Sequence, residues 1–169
     1  DLEKIKKINF VSLRYFNASG ADKELEIGEL HDPETHLIPL AIMSSKKKNQ
    51  ILKVFGTDFN TPDGTAIRDY IHVEDLALGH VAALSFLEEN DSSDFINLGS
   101  GKGTSVLEII NKLAKLGVKP NFINDNRREG DPESLVADIS KAKRLLNWRP
   151  KFSDIDKILE SAILWHNKK

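Results

Sequence analysis

Read as alternating apolar and polar positions, the chain first shows a β-rich, largely apolar run from Asn9 to Asn17, the pattern of a strand buried on both faces. Ala18 to Glu34 is polar, interrupted by Gly20, Gly28 and Pro33, and predicts a loop. A helix is expected from about Leu37 through Ile42, ending in the polar stretch Ser44 to Gln50. Ile51 to Phe55 predicts a short strand. Gly56 to Thr65 predicts a turn-rich loop around Pro62 and Asp63-Gly64, and Arg68 to Val73 a second alternating strand. From Glu74 onward, Leu76, Ala77, Val81, Leu84 and Leu87 recur at helical spacing and predict a long amphipathic helix. Phe95 to Leu98 reads as a strand and Gly99 to Gly103 as a tight glycine loop. Ser105 and Glu108 have the spacing of a capping box, opening a helix that Gly117 stops. Helices over Ser140 to Asn147 and Ile155 to His166 complete the pattern, and strands alternating with helices define an α/β class.

Composition narrows this picture. The 169 residues suffice for one domain with a core, and 40% apolar with 30% charged residues is the balance of an ordinary globular protein. A net charge of −2 lacks the basic surplus of a nucleic-acid partner. The absence of cysteine excludes disulfides, thiolate chemistry and cysteine metal sites, and suits a cytoplasmic setting. No apolar run approaches the roughly 20 residues of a membrane helix, so no membrane partner is expected. Asp1 to Lys7 is charged, carries no apolar signal core and reads as the tail of a helix.

Candidate chemistry is sparse. Gly99-Ser-Gly-Lys-Gly103 before a helix suggests phosphate binding, but Gly103 stands where a P-loop needs Ser or Thr, and a strand-to-helix turn fits better. His31, His36, His72, His80 and His166 show none of the usual metal-ligand spacings, so no metal is expected; His80, beside Ala77 and Val81, reads as a packed histidine. Lys46-Lys47-Lys48 reads as a solvated helix end. Arg14, Arg68 and Arg127-Arg128 are better candidates, because guanidinium forks converging from separate segments can clamp a diphosphate; the alternative for each alone is a surface ion pair.

The stretch from Phe55 to Ala77, with its loop Thr61-Pro-Asp-Gly-Thr65 ahead of Arg68-Asp-Tyr70, resembles the UDP-glucose 4-epimerase family of extended short-chain dehydrogenase/reductases. Leu13-Arg-Tyr-Phe-Asn17, His36-Leu-Ile-Pro39, Asn97-Leu-Gly-Ser-Gly101 and Arg127-Arg-Glu-Gly-Asp131 follow in that family's order. The resemblance implies the carboxy-terminal, substrate-binding part of such an enzyme over residues 1–169, a few of its strands belonging to a Rossmann sheet otherwise outside the chain. It implies NAD as cofactor, with Tyr15 and Phe16 by the nicotinamide. It further implies a UDP-hexose partner, with Asn17 near the phosphate and hexose and His36 on the hexose side. Leu37 would offer a backbone N–H to the diphosphate, while Lys53, Val54 and Phe55 would edge the uracil. Arg68 and Arg128 would form the diphosphate clamp, Asp131 would accept from ribose hydroxyls, and Leu135 would wall the hexose pocket. The complete enzyme is expected to be a homodimer.

The family's catalytic Tyr-x-x-x-Lys pair does not occur: Ser19 stands four residues after Tyr15, and Glu74 four after Tyr70. The glycine-rich NAD turn does not occur either. No catalytic residue is therefore assigned, and the chain alone is expected to be inactive and to fold poorly, since parallel strands need both faces covered. A non-catalytic UDP-sugar-binding module, or a nucleotide-sugar dehydratase or decarboxylase, remain the alternatives.

Overall fold

The computed structural model describes residues 5, 8–47 and 49–168. The expected helix tail at the amino terminus, Ile5 apart, and Lys48 of the lysine run lie outside the described residues. Strand β1 (Val11–Tyr15) pairs in parallel with β5 (Asp94–Leu98), Val11 opposite Asp94 and Tyr15 opposite Leu98. β2 (Asn17–Ser19) pairs in parallel with β4 (Ile67–His72), which also takes β6 (Gly103–Ser105) antiparallel and β8 (Ser134–Leu135) parallel. β3 (Leu52–Phe55) pairs in parallel with β7 (Phe122–Asp125). Five helices complete the chain: α1 (Leu37–Lys46), α2 (Val73–Glu89), α3 (Val106–Lys115), α4 (Ser140–Leu145) and α5 (Ile155–Lys168). The α/β class and its parallel pairings agree with the sequence reading.

Two apolar clusters hold these elements together. In one, Ile38, Ala41 and Ile42 of α1 meet Val54 of β3, Ile109 and Leu113 of α3, and Ile158 and Leu159 of α5. In the other, Leu76, Ala83 and Phe86 of α2 meet Ile96 and Leu98 of β5, Ala142 of α4 and Trp148. Caps explain where helices start and stop. The Ser105 hydroxyl accepts from the Glu108 amide at 3.1 Å, and Gly117, at φ +86°, turns the chain as Val118 N–H donates to the Leu113 carbonyl.

Three expectations need correction. β1 is not buried on both faces: Arg14 and Tyr15 are exposed and Val11 to Leu13 only half-buried, because β5 is its one strand partner among the described residues. The face of α2 that packs runs through Leu76, Gly79, Ala83 and Phe86, whereas Val81 and Leu84 are 61% and 63% exposed. Gly79 decides this, since its bare Cα lies against Leu98, where a Cβ would stand 2.6 Å from Leu98 Cδ1. His80 consequently sits on an exposed position rather than packed, although its Nδ1 does meet the Leu76 carbonyl at 2.8 Å. No helix among the described residues is long and apolar enough to cross a membrane.

Candidate functional site

Buried aspartates organise the loops around the cleft. Asp69, fully buried in β4, accepts from Ser100 N–H (2.8 Å), Ser100 Oγ (2.6 Å), Gly101 N–H (3.0 Å) and Ala137 N–H (3.1 Å). The glycine loop is thus already filled by a carboxylate of its own chain, which accounts for its fold without a phosphate. Gly99 is required there, because a Cβ would stand 2.4 Å from Ala137 Cβ and 2.6 Å from the Asp69 carboxylate. Asp75, also fully buried, accepts from Lys151 N–H, Phe152 N–H and Ser153 Oγ, tying the segment before α5 to the start of α2. Neither aspartate was singled out from the sequence as a site residue; their role depends on amides far along the chain.

The cleft itself, about 210 Å³, is lined by Asn17, His36, Leu37, Lys53, Phe55, Arg68, Arg128 and Asp131 among others. Arg68 directs Nη1 to the carbonyls of Ile67 and Pro132, both at 2.8 Å, and Nη2 toward Asp131 Oδ1 at 3.8 Å. Arg128 donates from Nε to Asp131 Oδ2 at 3.0 Å and lies over the Phe55 ring, 4.7 Å from its centroid. The two guanidinium groups therefore converge on one carboxylate from different segments. Arg127 instead pairs with Asp58 and covers Phe59, and Arg14 is exposed, so neither joins the pair. Asn17 donates from Nδ2 to the Asp69 carbonyl at 2.9 Å, which fixes its amide at the cleft edge.

At the other wall, α1 opens at Leu37 with no acidic residue in its first turn, and Pro39 has no N–H, so the amides of Leu37 and Ile38 face the entrance of the helix dipole. Lys53 forms an ion pair with Asp125 at 2.9 Å. Val54 is 1% exposed and belongs to the core, so its side chain does not line the cleft and only its backbone could edge a ligand. Tyr70 lines the cleft but is 6% exposed, and burial pushes its phenol pKa up, against the opposing pull of the Arg68 charge. Tyr15, Phe16 and Leu135 border a second, more open cleft that shares Asn17 and Arg68 with the first. A third shares Leu40, Leu52, Lys53 and Phe55. The sequence-predicted residues, Val54 apart, thus come together along one connected depression.

His36 turns its Nδ1 to Glu29 Oε1 (2.7 Å) and Glu34 Oε1 (2.9 Å), and His31 joins the same group. The sequence reading missed both glutamates, which lie in a polar loop with no recognised ligand spacing.

A mostly parallel-stranded α/β fold, with a depression at the carboxyl end of β1 lined by paired arginines, defines a protein of the dehydrogenase-like α/β class. Residues 2–99 match the NAD dependent epimerase/dehydratase family, and the chain belongs to it. Among curated proteins it is 49% identical over 165 residues to the UDP-glucose 4-epimerase of Rhizobium meliloti, covering 97% of this chain and 50% of that protein. The crystal structure of UDP-glucose 4-epimerase from Brucella ovis in complex with NAD superposes with a TM-score of 0.88 at 47% identity, covering 93% of this chain and 49% of that one. The enzyme from Bifidobacterium longum in complex with NAD+ and UDP gives a TM-score of 0.87 at 37% identity, covering 95% and 48%. The chain spans about half the length of the curated relatives it matches.

Proposed function

We propose that this chain supplies the UDP-hexose-binding part of a UDP-glucose 4-epimerase. Uracil lies against Phe55 and the backbone of Lys53 and Val54, and the diphosphate between Arg68, Arg128 and the Leu37 amide. The ribose hydroxyls face Asp131, Asn17 contacts the phosphate and hexose, His36 stands on the hexose side, and the hexose extends toward Leu135. The observation that carries this reading is the convergence of Arg68 and Arg128 within one depression whose three adjoining clefts run from Phe55 to Tyr15. Two forks fit a diphosphate because each can offer paired N–H donors; Arg128 has no protein partner for Nη1 or Nη2 among the described residues. Such a site grips the handle and leaves the sugar loose, so binding energy is concentrated away from the reacting carbon.

Tyr15, 56% exposed, and the half-buried Phe16 stand at the carboxyl end of a parallel strand and suit one edge of a nicotinamide ring. Bound NAD would supply the oxidation and re-reduction at C4 of the hexose. Tyr70 is too buried to act as the family's acid/base, and neither tyrosine has a lysine four residues on. The chain by itself therefore binds without epimerising. The complete enzyme is a cytoplasmic homodimer in this reading, which rests on resemblance.

Calorimetry of UDP with the full chain tests the assignment. Arg68→Ala and Arg128→Ala are each expected to weaken binding by about 10- to 100-fold, the equivalent of a charge-assisted hydrogen bond. Arg128→Lys should restore little, because a point charge cannot reproduce the fork. UDP binding that survives both alanine changes, or is lacking in a folded wild-type chain, would remove the proposal.

A further inference from the structure

Beside the contacts assigned to the nucleotide sugar, and sharing His36 with them, one loop gathers four metal-ligating side chains. Glu29, His31, Glu34 and His36 each bring a donor atom into one group, all four atoms lying within 4.8 Å of one another. The recorded separations are 2.7 Å (His36 Nδ1 to Glu29 Oε1), 2.9 Å (His36 Nδ1 to Glu34 Oε1), 3.3 Å (His31 Nδ1 to Glu29 Oε1) and 3.9 Å (His31 Nδ1 to Glu34 Oε2). A tetrahedral ion with bonds of about 2.0–2.1 Å holds its ligands about 3.3 Å apart, so His36 Nδ1, within hydrogen-bond distance of both carboxylates, has to draw back by about 0.5 Å to admit one. We propose that Glu29, His31, Glu34 and His36 bind a single divalent transition-metal ion, Zn²⁺ being the ion their donors suit best.

Three further features point the same way. The Glu29 and Glu34 side chains are only 13% and 7% exposed. Two carboxylates in one partly dry pocket call for a cation. Glu34 Oε1 is held by the Thr35 and His36 amides, both at 2.8 Å, and by His36 Nδ1 at 2.9 Å, while Oε2 accepts no hydrogen bond among the described residues and faces His31 at 3.9 Å. The backbone is anchored as well: Trp165 Nε1 donates to the Glu29 carbonyl at 2.8 Å, and Gly28 lies against the indole, where a Cβ would come within 2.4 Å. Orientation of this kind is what a ligand set needs if it is not to reorganise on binding. The two rings, about half exposed, leave the ion a route from solvent. Two imidazoles and two carboxylates favour Zn²⁺ over Mg²⁺, which prefers an octahedral shell of oxygens.

The ion would clamp the segment entering α1 without touching the arginine pair; the site shares only His36 with the UDP-hexose reading, and Zn²⁺ uptake and UDP binding are measured separately. His36 contributes Nδ1 to the metal and keeps Nε2 for the cleft. Equilibrium dialysis of the full chain against Zn²⁺ with metal analysis, and Co²⁺ titration followed by visible absorption, test the proposal. Expected are one ion per chain, the intense bands of four-coordinate Co²⁺, and proton release on binding. His31→Ala and Glu34→Gln should each weaken Zn²⁺ binding by more than about 10-fold, the least that even an outer hydrogen-bond change costs. His80→Ala should leave it unchanged. Should His31→Ala not fold, His31→Gln at this half-exposed position serves instead. Unaltered binding by the folded His31 and Glu34 variants, no stoichiometric Zn²⁺ uptake, or preference for Mg²⁺ would each overturn the site.

Discussion

His72 shows how much one side chain can organise. It is 5% exposed, its Nδ1 accepts from the Glu74 amide at 3.2 Å as the cap of α2, and its Nε2 meets Ser161 Oγ at 3.2 Å on α5. Burial holds its pKa below the ordinary 6.5, against the opposing charges of Glu74 and Asp75. Because the folded state takes up the proton less readily than the unfolded one, stability is unaffected above 6.5 and falls as the pH drops from 6.5 toward the depressed folded value. Protonation also removes the cap's acceptor. Chemical denaturation at a series of pH values should therefore show a smaller loss below neutrality in His72→Asn, whose side chain can still cap the helix but cannot titrate. An unchanged pH slope in the variant would show that His72 is not the group responsible. Asp69 and Asp75 belong to the same scale: each collects donors from loops that meet nowhere but in the folded chain.

At the scale of elements, α3 is the best-specified helix. Ser105 was expected to cap it, and it does so by accepting from Glu108 N–H. The same hydroxyl also donates to the Asp63 carboxylate, which in turn accepts from Thr65 N–H and Oγ1. The cap thereby fastens the loop Gly56–Thr65 onto the helix start. Ser105→Ala should cost about 1–2 kcal/mol, read as a shift in denaturation midpoint, with Ser105→Thr recovering most of it. A loss well under about 0.5 kcal/mol would mean that the helix is held by its apolar face alone. The lesson from α2 is different. Two apolar stripes occupy one helix, and its 3.6-residue period does not say which one meets a neighbour; Gly79 against Leu98 selected the stripe through Leu76, Ala83 and Phe86.

For the whole molecule, the stripe left over matters. Leu78, Val81 and Leu84 succeed one another at three-residue spacing on α2 and are 43%, 61% and 63% exposed. Tyr15 and Phe95 are also more than half exposed. Apolar surface of this kind promotes association in water. The full chain should show concentration-dependent self-association by light scattering, and Val81→Lys with Leu84→Lys should reduce it without lowering the denaturation midpoint. Self-association that the double change leaves untouched would locate the contact elsewhere.

The five helices, strands β1, β3, β4 and β5, the stops at Gly117 and in the loop Gly56–Thr65, and the kinship carried by Arg68-Asp-Tyr70 and Arg127-Arg-Glu-Gly-Asp131 were legible from the residues alone, because each depends on neighbours a few positions away or on a contiguous motif. The short strands β2, β6, β7 and β8 were not, since Asn17–Ser19, most of it read as loop, and Gly103–Ser105, Phe122–Asp125 and Ser134–Leu135 lack strand periodicity and exist through hydrogen bonds with β4 and β3. Nor was the grouping of Glu29, His31, Glu34 and His36, which follows no ligand spacing and is assembled by the path of a loop anchored on Trp165. Convergence of Arg68 with Arg128 was an expectation that pairing of β8 with β4 made geometric, by carrying the Arg128–Asp131 segment back beside Arg68. Local propensity and motif act over short stretches of chain; which donors share an acceptor, and which apolar face is covered, are settled only when distant segments are brought into contact.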